Sequence, residues 1–232
     1  MTGTNEHLLS PEASNITIAN LTLRPTTAFS VVVFRNNPTV DNLRFKNVVV
    51  DMHNVAGSTA TCGFDFAYRS NSSTISSNSY STKAGDVASA AVVRATAFLD
   101  GVTILARDGM GRGIEQATAE LHLRNVWFKH TTTGTWATPY HVATGSVNSY
   151  MSNCSFTTAG VLTTCVNAAG ASAADALKVS KVLFATTTAG SPMCYAAANT
   201  VRASEAFIPD VKAAVVGLGR SIMHSWESIT TI

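Results

Sequence analysis

Apolar and polar residues alternate in short runs along most of the chain, and one run keeps returning. Residues 16–23 (ITIANLTL) read apolar, x, apolar, x, Asn, apolar, x, apolar; residues 43–50 (LRFKNVVV) and 121–128 (LHLRNVWF) repeat this position for position. Residues 149–156 (SYMSNCSF) and 177–184 (LKVSKVLF) are close variants. A looser copy, 98–104 (FLDGVTI), has Asp100 in place of Asn and one extra residue, and a faint last copy surrounds Asp210. The marker positions 20, 47, 100, 125, 153, 181 and 210 are separated by 27, 53, 25, 28, 28 and 29 residues. The outlying 53 is about two periods, and the polar stretch 69–86 fills it as a degenerate coil or an inserted loop.

Period-two alternation is the signature of strands, and no helical pattern intervenes. Inward phase resumes directly after the marker, at Leu21 after Asn20, so the chain turns a corner there without losing direction. Asn tolerates the left-handed backbone such a corner needs, so Asn20, Asn47, Asp100, Asn125 and Asn153 are read as structural turns; Lys181 fits less well. A second strand follows each corner, at 31–34, 64–68, 139–142, 162–166 and 193–195, and strands one period apart should stack. The prediction is an all-β chain: a single-stranded right-handed parallel β-helix, a solenoid of about seven to eight coils. It divides into an amino-terminal arm (1–14), the β-helix (15–209) and a carboxy-terminal cap (210–232). In the cap, a helix begun by Asp210 would place Val211, Ala214, Val215, Leu218 and Ile222 on one face.

Composition sharpens this picture. Hydrophobic residues make up 46% of the 232, so the chain has material for a core, while charged residues make up only 13% against roughly 25% in an ordinary domain. The formal net charge of +2 comes without any cluster of like charges, which argues against nucleic acid as a partner. No apolar run reaches the roughly 18 residues of a membrane span, so no membrane insertion is expected. The opening segment MTGTNEHLLSPEAS lacks the basic and apolar regions of a Sec signal.

Candidate chemistry comes from offsets within the period. Asp65, Glu115 and His141 lie 18, 15 and 16 residues after their markers, which places them on one face as a candidate catalytic column for cleaving a glycan chain. Trp136 and Tyr140 are candidates for a sugar-stacking platform, with Trp127 assigned to the core. Residues 107–113 (RDGMGRG) superficially resemble a phosphate-binding loop but lack its GK[ST] ending and read as a turn between coils; Arg107 and Arg112 remain candidate ligand contacts. Cys62, Cys154, Cys165 and Cys194 show no CxxC spacing and read as buried thiols, with Cys165 and Cys194 one period apart and so candidates to stack, and a disulfide as the minority alternative. The histidines show no metal-binding spacing, and neither a metal nor a cofactor is expected. Four N-x-S/T sequences, at Asn15, Asn20, Asn71 and Asn153, arise where Asn corners meet Ser/Thr-rich strands and are not read as glycosylated.

On the runs ASNITIANLTL, VDNLRFKNVVV and ELHLRNVWF, the chain resembles the pectate-lyase-like right-handed parallel β-helix superfamily over most of residues 13–210. That superfamily includes polysaccharide lyases and hydrolases as well as bacteriophage tailspikes and other virion proteins, which are commonly side-by-side homotrimers. The acidic calcium cluster and catalytic Arg or Lys of its pectate lyases have no match here residue by residue. The resemblance, with the Ser/Thr/Ala-rich composition, therefore implies a bacteriophage virion structural protein on the particle surface, as a capsid decoration or a tail spike or fibre component. It would assemble as a homotrimer beside other virion proteins and bind a host-surface polysaccharide. A polysaccharide lyase or glycoside hydrolase of the β-helix class is the alternative.

Overall fold

The structure is a computed structural model that describes residues 9, 11, 13–25, 32–35, 41–54, 62–66, 96–116, 120–142, 149–168, 177–183, 194–196 and 201–207. These residues form strands and turns, with no helix among them. The strands are β1 (Thr17–Leu23), β2 (Val32–Arg35), β3 (Leu43–Asp51), β4 (Cys62–Phe66), β5 (Thr96–Asp100), β6 (Thr103–Ala106), β7 (Arg112–Gln116), β8 (Glu120–Arg124) and β9 (Trp127–His130). They continue with β10 (Thr135–Trp136), β11 (Thr138–Val142), β12 (Ser149–Thr158), β13 (Val161–Leu162), β14 (Val166–Ala168), β15 (Leu177–Leu183), β16 (Cys194–Ala196) and β17 (Val201–Phe207).

Every pairing is parallel; most join residues about one period apart, whereas β3 pairs with β5 and β6, and β4 with β7, across about two periods. A nine-stranded sheet runs from β1 and β3 through β5, β6, β8, β9, β12 and β15 to β17. A six-stranded sheet, β2-β4-β7-β11-β14-β16, forms a second face, and the short pair β10-β13 forms a third. The chain is thus a parallel β-solenoid; of the second strands expected after each corner, those at 31–34, 64–68, 139–142 and 193–195 fall on the six-stranded sheet, while 162–166 divides between β13 on the third face and the first residue of β14. Both main faces are described with their side chains over about four turns, from β3–β4 to β12–β14, rather than the expected seven to eight; β1, β2 and β15–β17 continue the sheets at the two ends. The expected cap at 210–232 and the polar stretch 69–86 lie outside the described residues. Of the amino-terminal arm, Leu9 packs against the core.

The corners follow the marker rule. Asn20, Asn47, Asn125 and Asn153 have φ between 49° and 56°, and Lys181, the poorest fit by residue type, has φ 53°. Position 100 is a correction: the left-handed residue is Gly101 (φ 70°), because the extra residue of that copy moves the corner by one, and Asp100 ends β5. Its carboxylate still joins the ladder, since Asn125 Nδ2 donates to Asp100 Oδ1 at 2.8 Å. Asn47 Nδ2 donates to Asn20 Oδ1 at 3.1 Å and Asn153 Nδ2 to Asn125 Oδ1 at 2.5 Å, so the corner amides satisfy one another along the axis.

Inside, alternate residues of each strand stack in columns. Phe128 and Phe156 stack with their ring planes nearly parallel, centroids 4.5 Å apart, and Phe45 meets Phe64 edge-on at 5.2 Å; each such pair adds roughly 0.5–1.5 kcal/mol beyond the area it buries. Two assignments are corrected. Inward phase after Asn125 falls on Val126 and Phe128, both fully buried, which turns Trp127 outward at 38% exposure. Residues 107–113 are only partly a turn, because Arg112 and Gly113 begin β7. A Cβ on Gly113 would sit 2.8 Å from the Pro139 carbonyl oxygen, so glycine is what lets these coils approach.

Candidate functional site

The expected column of titratable residues exists as a register: Asp65 pairs with Glu115 and Glu115 with His141, on β4, β7 and β11. Its chemistry differs from that of an open acid–base pair. Glu115 is buried, with 1% of its side chain exposed; Arg112 Nη1 donates to its Oε2, and His141 Nδ1 lies 2.8 Å from its Oε1. Burial, and then the Arg112 guanidinium, push the His141 imidazole down to about 3, so at neutral pH the ring is uncharged and donates its Nδ1–H to Glu115. The group holds β7 to β11, and its carboxylate is closed to a polymer chain. Arg112 is committed to it, while Arg107 stands half-buried before Asp108.

Trp136 and Tyr140 are fully buried and offer no face to a sugar, which corrects the stacking platform. Trp136 Nε1 donates to the Gly111 carbonyl at 3.0 Å, and the Tyr140 hydroxyl donates to Gln116 Oε1. Gln116 Nε2 in turn donates to Ser149 Oγ at 2.6 Å, which accepts from the Leu121 amide at 3.0 Å. The polar ends of both aromatics are thus satisfied inside the solenoid. Cys62, Cys154 and Cys165 are buried thiols; Cys194 sits opposite Val166 rather than Cys165, so the anticipated stacking is off by one residue. Burial pushes the Cys154 thiol up to about 12 and removes it from thiolate chemistry.

Two carboxylate–imidazole–threonine chains clamp the corner after β6 and β9. Asp108 Oδ1 accepts from Thr132 Oγ1 (2.6 Å), the Gly134 amide (2.8 Å) and His130 Nε2 (2.9 Å), while His130 Nδ1 meets Thr158 Oγ1 at 2.9 Å. The Thr132 hydrogen bond, with His130 and Gly134, holds the Asp108 carboxyl below its usual range against the opposing effect of desolvation. Asp51 accepts from Arg24 Nε (2.8 Å) and His53 Nδ1 (2.7 Å), and His53 Nε2 reaches Thr131 Oγ1. Burial raises the Asp51 carboxyl, but the His53 and Arg24 hydrogen bonds outweigh it and the net shift is downward. Among the described residues no three His, Cys, Asp or Glu side chains gather to hold a metal ion.

The outer face of the nine-stranded sheet carries a row that the sequence reading missed. Arg44, Phe98, His122, Tyr150 and Lys178 occupy one register position on successive rungs. The Arg44 guanidinium lies 4.5 Å over the Phe98 ring, Phe98 stacks on His122 at 4.7 Å, His122 on Tyr150 at 5.1 Å, and Lys178 Nζ lies 5.2 Å over Tyr150. Beside it, Lys46, Asp100, Arg124 and Ser152 form a second outward row, and a shallow depression of about 250 Å3 lies along both. A signal for the first row was present: each member lies three residues before its corner residue, at 47, 101, 125, 153 and 181. Compared with known protein families, curated proteins and solved structures, the chain matches none.

Proposed function

We propose that this chain is a non-catalytic, surface-binding β-solenoid: a bacteriophage virion structural protein, a homotrimer on the particle surface as a capsid decoration or tail spike or fibre component, holding a host-surface polysaccharide along its outside. The observation that carries the binding role is the outward row of aromatic and cationic side chains on the nine-stranded sheet, repeated rung by rung as a linear ligand requires. The parallel solenoid supports the resemblance to right-handed β-helices of the pectate-lyase-like and tailspike kind, since parallel crossovers are nearly always right-handed. Trimer formation would cover the outward Trp127 and Leu183, which share a register position with Ser155 between them at 38% and 40% exposure.

A polysaccharide lyase or glycoside hydrolase is the second reading, favoured by the in-register Asp65, Glu115 and His141. The closure of Glu115 by Arg112 and His141 ranks it below the binding reading. One experiment separates them: light scattering after size exclusion, with host-surface polysaccharide incubated alongside and assayed for new reducing ends. The binding reading expects three times the 24.3 kDa chain mass, retained polysaccharide and no new ends. A monomer that releases oligosaccharides would overturn it.

A further inference from the structure

We infer that the strip from Arg44 to Lys178 selects an acidic polysaccharide, one bearing carboxylate or sulfate groups, over a neutral one; this rests on the glycan-binding reading above and names its ligand chemistry and its site. The ring faces of the strip are already used. Arg44 covers Phe98, Phe98 covers one face of His122, Tyr150 covers the other, and Lys178 covers Tyr150. A neutral sugar gains most of its affinity for an aromatic surface by laying its C–H groups on a ring face, and this stack leaves only edges for that purpose. Ring edges carry the positive side of the aromatic quadrupole.

The charges point the same way. Arg44, Lys46, Arg124 and Lys178 line the two outward rows, and the carboxylates among them are occupied: Asp100 by Arg124 at 3.2 Å and Glu120 by His122 at 2.8 Å. Set against Asp100 and Glu120, the four cations Arg44, Lys46, Arg124 and Lys178 leave an excess of positive charge beside the ring edges, which complements anionic groups. Its shape calls for a chain. Five rungs at roughly 4.8 Å separate Arg44 from Lys178 by about 19 Å, in line, with the shallow depression beside them. Nucleic acid fits less well than a glycan, because single-stranded bases bind by stacking on open ring faces and these are taken.

The test is binding of the full-length protein to four probes by affinity electrophoresis: alginate, dextran sulfate, dextran and oligo-dT. Binding to alginate and dextran sulfate, not to dextran, is expected, weakening at least tenfold from about 0.1 to 1 M salt as screening shortens to roughly 3 Å. The Arg44→Gln/Lys178→Gln variant should lose about tenfold in affinity for the acidic probes, with its circular dichroism unchanged; Lys46→Gln, one row away, should lose less. Alginate against dextran sulfate tells carboxylate from sulfate recognition. Equal binding of dextran, or an unaltered double variant, would overturn the acidic strip while leaving glycan binding elsewhere on the surface. Preference for oligo-dT would replace the ligand class, and retention of no glycan at all would remove both the strip and the reading on which it rests.

Discussion

The corner at Asn125 offers the most exacting test of why this sequence winds as it does. Asn125 holds φ 53°, donates through Nδ2 to Asp100 Oδ1 at 2.8 Å and accepts through Oδ1 from Asn153 Nδ2 at 2.5 Å. Asn125→Ala forces a Cβ-bearing residue without a compensating amide into the left-handed region, at roughly 1–2 kcal/mol. It also removes two side-chain hydrogen bonds, one part-buried and one exposed, worth about 0.5 kcal/mol each at the low end of the usual range. The sum is about 2–3 kcal/mol, or a melting temperature lower by roughly 5–10 °C for a chain of this size. Asn125→Gly loses the same bonds without the steric term and should cost about 1 kcal/mol less than the alanine variant. The converse substitution is Lys181→Asn, which places an amide at φ 53° beside Asn153 and should stabilise by about 1 kcal/mol. Urea unfolding followed by circular dichroism measures all three. Alanine and glycine variants of equal stability, or a destabilised Lys181→Asn, would refute the claim that left-handed corners and their amide ladder hold the coils.

The core and its charges give further expectations. Trp136→Ala should destabilise by about 3–5 kcal/mol through the cavity and the lost hydrogen bond from Nε1 to the Gly111 carbonyl, whereas Trp127→Ala should change urea-unfolding stability by less than about 0.5 kcal/mol in the isolated chain. Gly113→Ala should cost about 1–3 kcal/mol by thermal melting, because its Cβ would press on the Pro139 carbonyl and the rings of Phe128 and Trp136. His141 has a folded pKa of about 3 below an unfolded value near 6.5, so the unfolded chain binds the extra proton between them. Its contribution is full above about pH 6.5 and falls with pH by up to about 1.4 kcal/mol per unit. His141→Gln should flatten stability between about pH 4.5 and 6.5, the window above the range in which Asp51 and Asp108 titrate.

The corners were readable from sequence because a left-handed residue must recur once per coil and Asn is among the few that accept it. Lys181 shows that the position within the period governs the backbone even where the residue type argues otherwise. The column of Asp65, Glu115 and His141 was readable for the same reason, since offsets from a corner convert directly into register. Its burial was not, because alternation says which way a side chain points and not what lies over it. Trp136 belongs to a two-residue strand on the third face, too short for alternation to show direction, and its indole finds a carbonyl inside. The outer row is hidden in the sequence because an arginine, a phenylalanine, a histidine, a tyrosine and a lysine share a fixed offset but no common side-chain chemistry. What unites them is a stack, visible only once the rungs are aligned.

Histidine ring resonances locate the ligand most directly, since His122 sits in the outer strip, His141 in the closed Glu115 column and His53 and His130 in the corner clamps. Titrating alginate oligosaccharide into protein labelled with 15N at its histidine rings should move the His122 signals and leave those of His53, His130 and His141 in place. Movement of His141 with His122 unchanged would put the ligand on the other sheet and contradict the account.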